Sequence, residues 1–146
     1  MARPREKRPG RSRGVNAVVV DTDIVSYLFK GHSAASLYTD DLAGHALVIS
    51  FMTLAELERW PIPSGWGEEK RRLLREHLKL FAVMPWNRAL CTAWAEVMVG
   101  ARARGFRIDC ADAWIAATAL LHRIPLVTHN RDDYRGVEGL AVVCHS

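Results

Sequence analysis

The run Val15 to Val20 is almost continuously apolar, and it stops at two carboxylates in Asp21-Thr22-Asp23. A segment without polar alternates has no face to give to water, so it reads as a strand buried on both sides, as in a parallel sheet. Ala46-Leu47-Val48-Ile49, Ala82-Val83-Met84, Pro125-Leu126-Val127-Thr128 and Leu140 to Val143 are further short strand candidates. Helical patterns fill the gaps. Asp21 or Asp23 can cap a helix from Ile24 to about Lys30, which Gly31 closes. A second short helix is expected over Ser33 to Leu42. Leu54 to Trp60 follows, with Ser50 and Thr53 as capping candidates and Pro61 and Pro63 as stops. Trp66 to Phe81 is a charged helix with Leu73, Leu74, Leu78 and Phe81 turned inward. In Ala89 to Arg104, Leu90, Ala93, Trp94, Val97, Met98 and Ala101 mark one helical face, and Gly105 ends it. Ala111 to His122 is apolar almost all round and should be central. Strands alternating with helices define an α/β sandwich with a mainly parallel central sheet.

The 146 residues suit one domain, and 49% hydrophobic content is enough for a core. No run approaches the roughly 18 consecutive apolar residues a membrane helix needs, and no secretory signal is visible, so a cytoplasmic protein is expected. Cys91, Cys110 and Cys144 are odd in number and widely spaced, and the six histidines form no HxxxH pair. Disulfide frameworks and zinc clusters are therefore disfavoured, and oxygen ligands are expected for any metal. The net charge of +4 is unevenly placed: residues 1–14 carry six Lys/Arg against Glu6, which leaves 14 basic and 15 acidic residues in the rest. The chain thus divides into a basic tail, 1–14, expected to be disordered, and a near-neutral domain, 15–146. The tail reads as a solubilising extension or the product of an upstream start codon, or as an arm whose basic residues raise encounter with phosphates such as those of RNA.

Sites in open parallel sheets form at the carboxyl ends of strands. Asp21 and Asp23 follow the first strand, Glu56 lies one helical turn past the second, Asp132 and Asp133 follow the fourth, and Asp109 and Asp112 open the central helix. Clustered carboxylates repel and raise one another's pKa, and a divalent cation relieves this. Hard oxygen ligands select Mg²⁺ or Mn²⁺.

These residues also resemble a known family. VVVDTDIVSYL is similar to the first PIN-domain motif, SFMTLAELERW to the second, and DAWIAATALLHRIPLVTHNRDDY to the third and fourth. The resemblance spans roughly Val18 to Val143 and implies a PIN-like three-layer α/β/α sandwich. It further implies a Mg²⁺- or Mn²⁺-dependent endoribonuclease, cleaving RNA in a single strand or loop such as a tRNA or rRNA loop. Wording and length place it near the VapC-like toxins of type II toxin–antitoxin systems, which implies a small VapB-like antitoxin partner and a homodimer.

Carried over residue by residue, Asp21 and Asp112 would bind metal directly, and Glu56 and Asp133 would complete the site or orient water. A one-residue slip would select Asp132 in place of Asp133. Thr22, Thr128 and Asn130 would support these groups. Each has a plainer reading: Asp21 as a helix cap, Asp112 as a carboxylate favoured by the helix dipole, Glu56 as a solvated acid. Asp23 reads as a cap or as support, and His129 as an ordinary loop histidine. Glu58 is an internal control, since residues two apart on a helix do not share a face. Trp94 fits the core, whereas Trp60 and Trp66 flank a proline-rich loop and suit a partner or dimer contact. Lys70-Arg71-Arg72 with Arg75 reads as a solvated face. Competing functions are a housekeeping PIN nuclease without antitoxin, a catalytically inactive RNA- or antitoxin-binding module, and a phosphatase, since VVVDTD also resembles the Asp-x-Asp motif of haloacid-dehalogenase-like enzymes. The last lacks the lysine expected between its late motifs.

Overall fold

The computed structural model describes residues 16–146, so the basic tail and Val15 lie outside the described residues. Five strands form one sheet in the order β3-β2-β1-β4-β5, and every neighbouring pair is parallel: β1 Ala17–Val20, β2 Ala46–Ser50, β3 Ala82–Met84, β4 Leu126–Val127 and β5 Val142–Val143. β1 is central, which explains its apolar run. Val19 joins Val48 and Leu126 in a core shared with the two long helices, α6 (Arg88–Ala103) and α7 (Cys110–His122). Val18, Val20, Ile49 and Val127 face the other way, against α1 (Thr22–Lys30) and α3 (Phe51–Arg59). Successive strand residues point to opposite faces, so two cores form and the protein is the expected three-layer α/β/α sandwich.

The helices largely follow the sequence pattern, with informative departures. Ser33 to Leu42 is not one helix: Ser33–Tyr38 is a 3₁₀ segment, and α2 (Thr39–Leu42) is a single turn. The buried Tyr38 hydroxyl is held near Thr128, His129 and the His145 backbone, and this ties the segment to the sheet end. α3 starts at Phe51, capped by the Ser50 side chain, so Thr53 lies inside the helix and is no cap. Pro61 does not simply stop that helix but opens a short turn, α4 (Pro61–Ser64), because proline suits a first helical position. α5 spans Glu68–Leu78 and turns Leu74 inward, whereas Leu73 is 46% exposed. Leu74 and Leu78 stand at i and i+4, and Leu73 falls off that stripe, while Phe81, expected to end this helix, is buried in the bend beyond it. Gly31 closes α1 with φ +68, a left-handed cap that glycine adopts without a Cβ clash. Among the described residues, no helix is long and apolar enough to cross a membrane.

Candidate active site

Strand register assembles the acidic edge. Val20 pairs with Val127, so Asp21 and Thr128 emerge side by side, and the Asp21 amide donates to the Val127 carbonyl at 2.9 Å. Asp21 caps α1, accepting from the Thr22 amide at 2.7 Å through Oδ1. Its Oδ2 accepts from the Thr128 hydroxyl at 2.7 Å and the Tyr134 hydroxyl at 3.0 Å. Tyr134 ends a 3₁₀ turn, Arg131–Tyr134, and its hydroxyl also stands 3.4 Å from Asp112 Oδ1, in the first turn of α7. One buried hydroxyl therefore sits between the two carboxylates.

Glu56 reaches the same edge from α3. β1 and β2 are adjacent and parallel, which brings the starts of α1 and α3 together. The Thr22 hydroxyl stands 2.6 Å from Glu56 Oε1 and 2.9 Å from the Thr53 hydroxyl. Glu56 is half-buried and Glu58 is exposed, as expected for residues two apart on a helix. Asp23 secures the loop after β4, its Oδ2 accepting from the His129 amide at 3.0 Å and the Asn130 side-chain amide at 2.8 Å. The Asn130 amide donates to Thr128 Oγ1 at 3.1 Å. His129 is half-buried, with Nδ1 2.7 Å from the Tyr38 hydroxyl.

The electrostatics are those of like charges crowded away from water. Asp21 is only 5% exposed, and burial, reinforced by Asp23, pushes its carboxyl up to about 7 against the pull of its three hydrogen bonds. Burial, then the charges of Asp133, Asp109 and Glu56, pushes Asp112 up to about 6. Burial and the charges of Asp21 and Asp112 push the Tyr134 hydroxyl far above its ordinary value, so it remains a donor. Asp133 acts on Asp112, while both Asp132 and Asp133 are exposed. Asp109 acts on Asp112 as well, although the sequence reading left it outside the site.

Every candidate ligand is an oxygen atom on a short acidic side chain, and Asp21 and Asp112 carry unfavourable charge that a cation would offset. Among the described residues no group of three or more His, Cys, Asp or Glu side chains forms a ready-made coordination cluster. That donor set fits an ion held by one or two carboxylates and completed by water, as Mg²⁺ prefers.

The PIN domain family model matches residues 18–139, from β1 through the segment that carries Tyr134. The chain belongs to the PIN domain family. It is similar to ribonuclease VapC4 of Mycobacterium tuberculosis, 29% identical over 131 residues that cover 88% of this chain and 97% of the relative. Ribonuclease VapC1 of Haemophilus influenzae is 28% identical over 124 residues, covering 84% and 92%. Among solved structures, VapBC-1 from nontypeable Haemophilus influenzae superposes with a TM-score of 0.75 at 27% identity over 88% of this chain and 97% of that one. FitAcB from Neisseria gonorrhoeae gives 0.71 at 25% identity, over 86% and 95%.

The sequence reading of this PIN domain missed two residues that the structure brings to the acidic edge. In the sequence Tyr134 stands only as the aromatic that ends the fourth motif, and Thr53 only as one of two capping candidates. A hydroxyl bridging two carboxylates depends on where the 3₁₀ turn sets the ring, which residue order does not encode. Trp60 and Trp66 pack against each other and against Phe29 within the chain, with centroids 4.7 Å apart for the tryptophan pair. Trp94 stacks on Trp114 beside the α6–α7 core.

Proposed function

We propose that this PIN domain is a divalent-metal-dependent endoribonuclease and the toxin of a toxin–antitoxin pair. The observation that carries the reading is the convergence of Asp21 and Asp112 on the Tyr134 hydroxyl, with both carboxyls raised towards neutrality. Asp21 and Asp112 would hold Mg²⁺ or Mn²⁺, and Glu56 and Asp133 would complete the site or orient water. A cation so held supplies charge neutralisation at the scissile phosphate and lowers the pKa of bound water. Thr22 fixes Glu56, Thr128 and Tyr134 fix Asp21, and Asp23 with Asn130 fixes the loop that carries Thr128. Such supporting partners set ligand orientation and basicity. Water attack on an RNA phosphodiester would leave a 5′-phosphate and a 3′-hydroxyl, and the charge of Asp133 on Asp112 favours it over Asp132 as the fourth acid.

The ribonuclease names of the similar proteins, and the likeness to the VapBC-1 structure, support the substrate class and a small antitoxin partner. An antitoxin would lay a peptide over this edge and offer an arginine to the carboxylates. A homodimer would deepen the RNA groove. The test is inducible bacterial expression of the wild type beside Asp112→Ala, following growth and total-RNA integrity together. Growth arrest with discrete RNA cuts in the wild type alone is expected. Equal cutting by soluble Asp112→Ala would overturn the assignment.

A further inference from the structure

The corner between α6 and α7, with the segment that follows Tyr134, forms a second built feature beside the carboxylates. A cavity of about 570 Å³ is lined by Met98, Arg102, Gly105, Phe106, Arg107 and Ile108. Ile108 directly precedes Asp109, the cap of α7, and so the cavity lies next to the helix start that carries Asp112. Arg135 directly follows Tyr134, and its guanidinium lies 5.2 Å from the Phe106 ring centroid.

This corner is docked in place. Arg104 Nε donates to the Gly136 carbonyl at 3.0 Å, its Nη2 donates to the same oxygen, and its Nη1 meets Glu138 at 3.2 Å. Gly136 is packed so closely that a Cβ there would fall 2.6 Å from Phe106 Cβ and 3.0 Å from Ala101 Cβ. Arg104 thus clips the segment, while Arg102, Arg107 and Arg135 are exposed and form no ion pair with an acidic side chain among the described residues. By contrast, Arg72 and Arg75 on α5 are paired with Glu69 and Glu68.

We infer that this arginine-lined cavity is an RNA subsite in which Arg102, Arg107 and Arg135 hold the phosphodiester backbone on one flank of the carboxylates. Charge decides the occupant. The acidic edge repels a polyanion unless a cation is bound, so a nuclease of this kind needs cationic groups nearby to hold the strand. Three arginines without acidic partners among the described residues, set around the apolar surface of Met98, Phe106 and Ile108, suit unpaired RNA: phosphates for the guanidiniums, a base or ribose for the apolar floor. The inference rests on the nuclease reading.

The test uses the full-length chain carrying Asp112→Asn, which stops cleavage and removes one of the charges that repel the strand, with a fluorescein-labelled unstructured RNA oligonucleotide followed by anisotropy across a salt series. The basic N-terminal residues are present in every variant and their contribution cancels. Each phosphate contact on a single strand contributes about 0.7 to the slope of log affinity against log salt, which is about fivefold in affinity at 0.1 M salt. Arg102→Gln with Arg107→Gln should therefore lower the slope by about 1.4, and Arg135→Gln by about 0.7 more. Arg72→Gln with Arg75→Gln should change neither. In the active chain the cavity variants should raise KM and leave kcat nearly unchanged. Unchanged affinity and slope, beside a wild type that cuts RNA, would overturn this inference alone. An Asp112→Asn chain that does not bind RNA, beside a wild type that does not cut it, would overturn the nuclease reading and this inference with it. Loss of binding to an acidic peptide or a second copy, with RNA affinity intact, would assign the cavity to that occupant instead and overturn the RNA subsite.

Discussion

Two regions of this PIN domain are dense in acidic residues, and they are built in opposite ways. On α5, Glu68, Glu69 and Glu76 each face a base, Arg75, Arg72 and Lys79, at 2.7–3.0 Å on the exposed surface. Their partners hold Glu69 and Glu76 below the ordinary carboxylate range. At the carboxyl edge of the sheet, Asp21 and Asp112 face other acids and hydroxyl donors, and burial raises both. The α5 face is a solvated surface of the sort whose ion pairs contribute little. The edge retains charge where the fold gains nothing from it, and such sites mark function.

Three outcomes would sharpen or break this contrast. The largest concerns catalysis. Asp21→Asn keeps the shape of the side chain and removes its charge, and cleavage should fall by about 10³-fold, since metal chemistry supplies several kcal/mol of transition-state stabilisation. Glu69→Gln should leave cleavage and Tm unchanged. Equal losses for the two variants would erase the distinction between the regions.

A smaller effect is expected from the bridging hydroxyl. Tyr134→Phe removes the donor shared by Asp21 and Asp112 without removing the ring, and metal affinity should drop roughly 10- to 100-fold, the usual cost of losing a supporting partner. The circular dichroism spectrum should be preserved. Wild-type affinity in Tyr134→Phe would reduce the hydroxyl to a packing role.

The third outcome is a pH dependence of stability without metal. Asp21 near 7 and Asp112 near 6 both lie above their ordinary value of 3.8. The folded state then holds more protons than the unfolded one across pH 4 to 7, so stability falls as pH rises through that window. In a chelator, Tm should climb as pH drops from 8 towards 5. Mn²⁺ should stabilise the protein at pH 8, and less as protons compete below 7. A Tm in chelator that does not respond to pH would remove the electrostatic basis of the site.

Much of this was legible in residue order because it depends on local pattern. The unbroken apolarity of Val18-Val19-Val20 reports a strand buried on two faces, and the structure sends these residues into two cores. The 3.6-residue stripe of Leu90, Val97 and Ala101 reports the inner side of α6, where all three are buried. The carboxylates were visible at strand ends because parallel topology makes that edge common to all strands. Strand neighbours were not readable: β4 pairs with β1 across more than a hundred residues, and only that pairing sets Thr128 against Asp21. Nor was the choice between Leu73 and Leu74, which neighbour each other in sequence but sit 100° apart around a helix.

The most direct test of the acidic edge is a calorimetric Mn²⁺ titration of the wild type beside Asp21→Asn and Asp112→Asn, with cleavage of a labelled RNA followed in the same samples. Saturable Mn²⁺ binding by the wild type, lost in both variants, with cleavage that rises in step with occupancy, is the predicted result. Unchanged Mn²⁺ binding by the variants, or RNA cut equally well in chelator, would contradict the account.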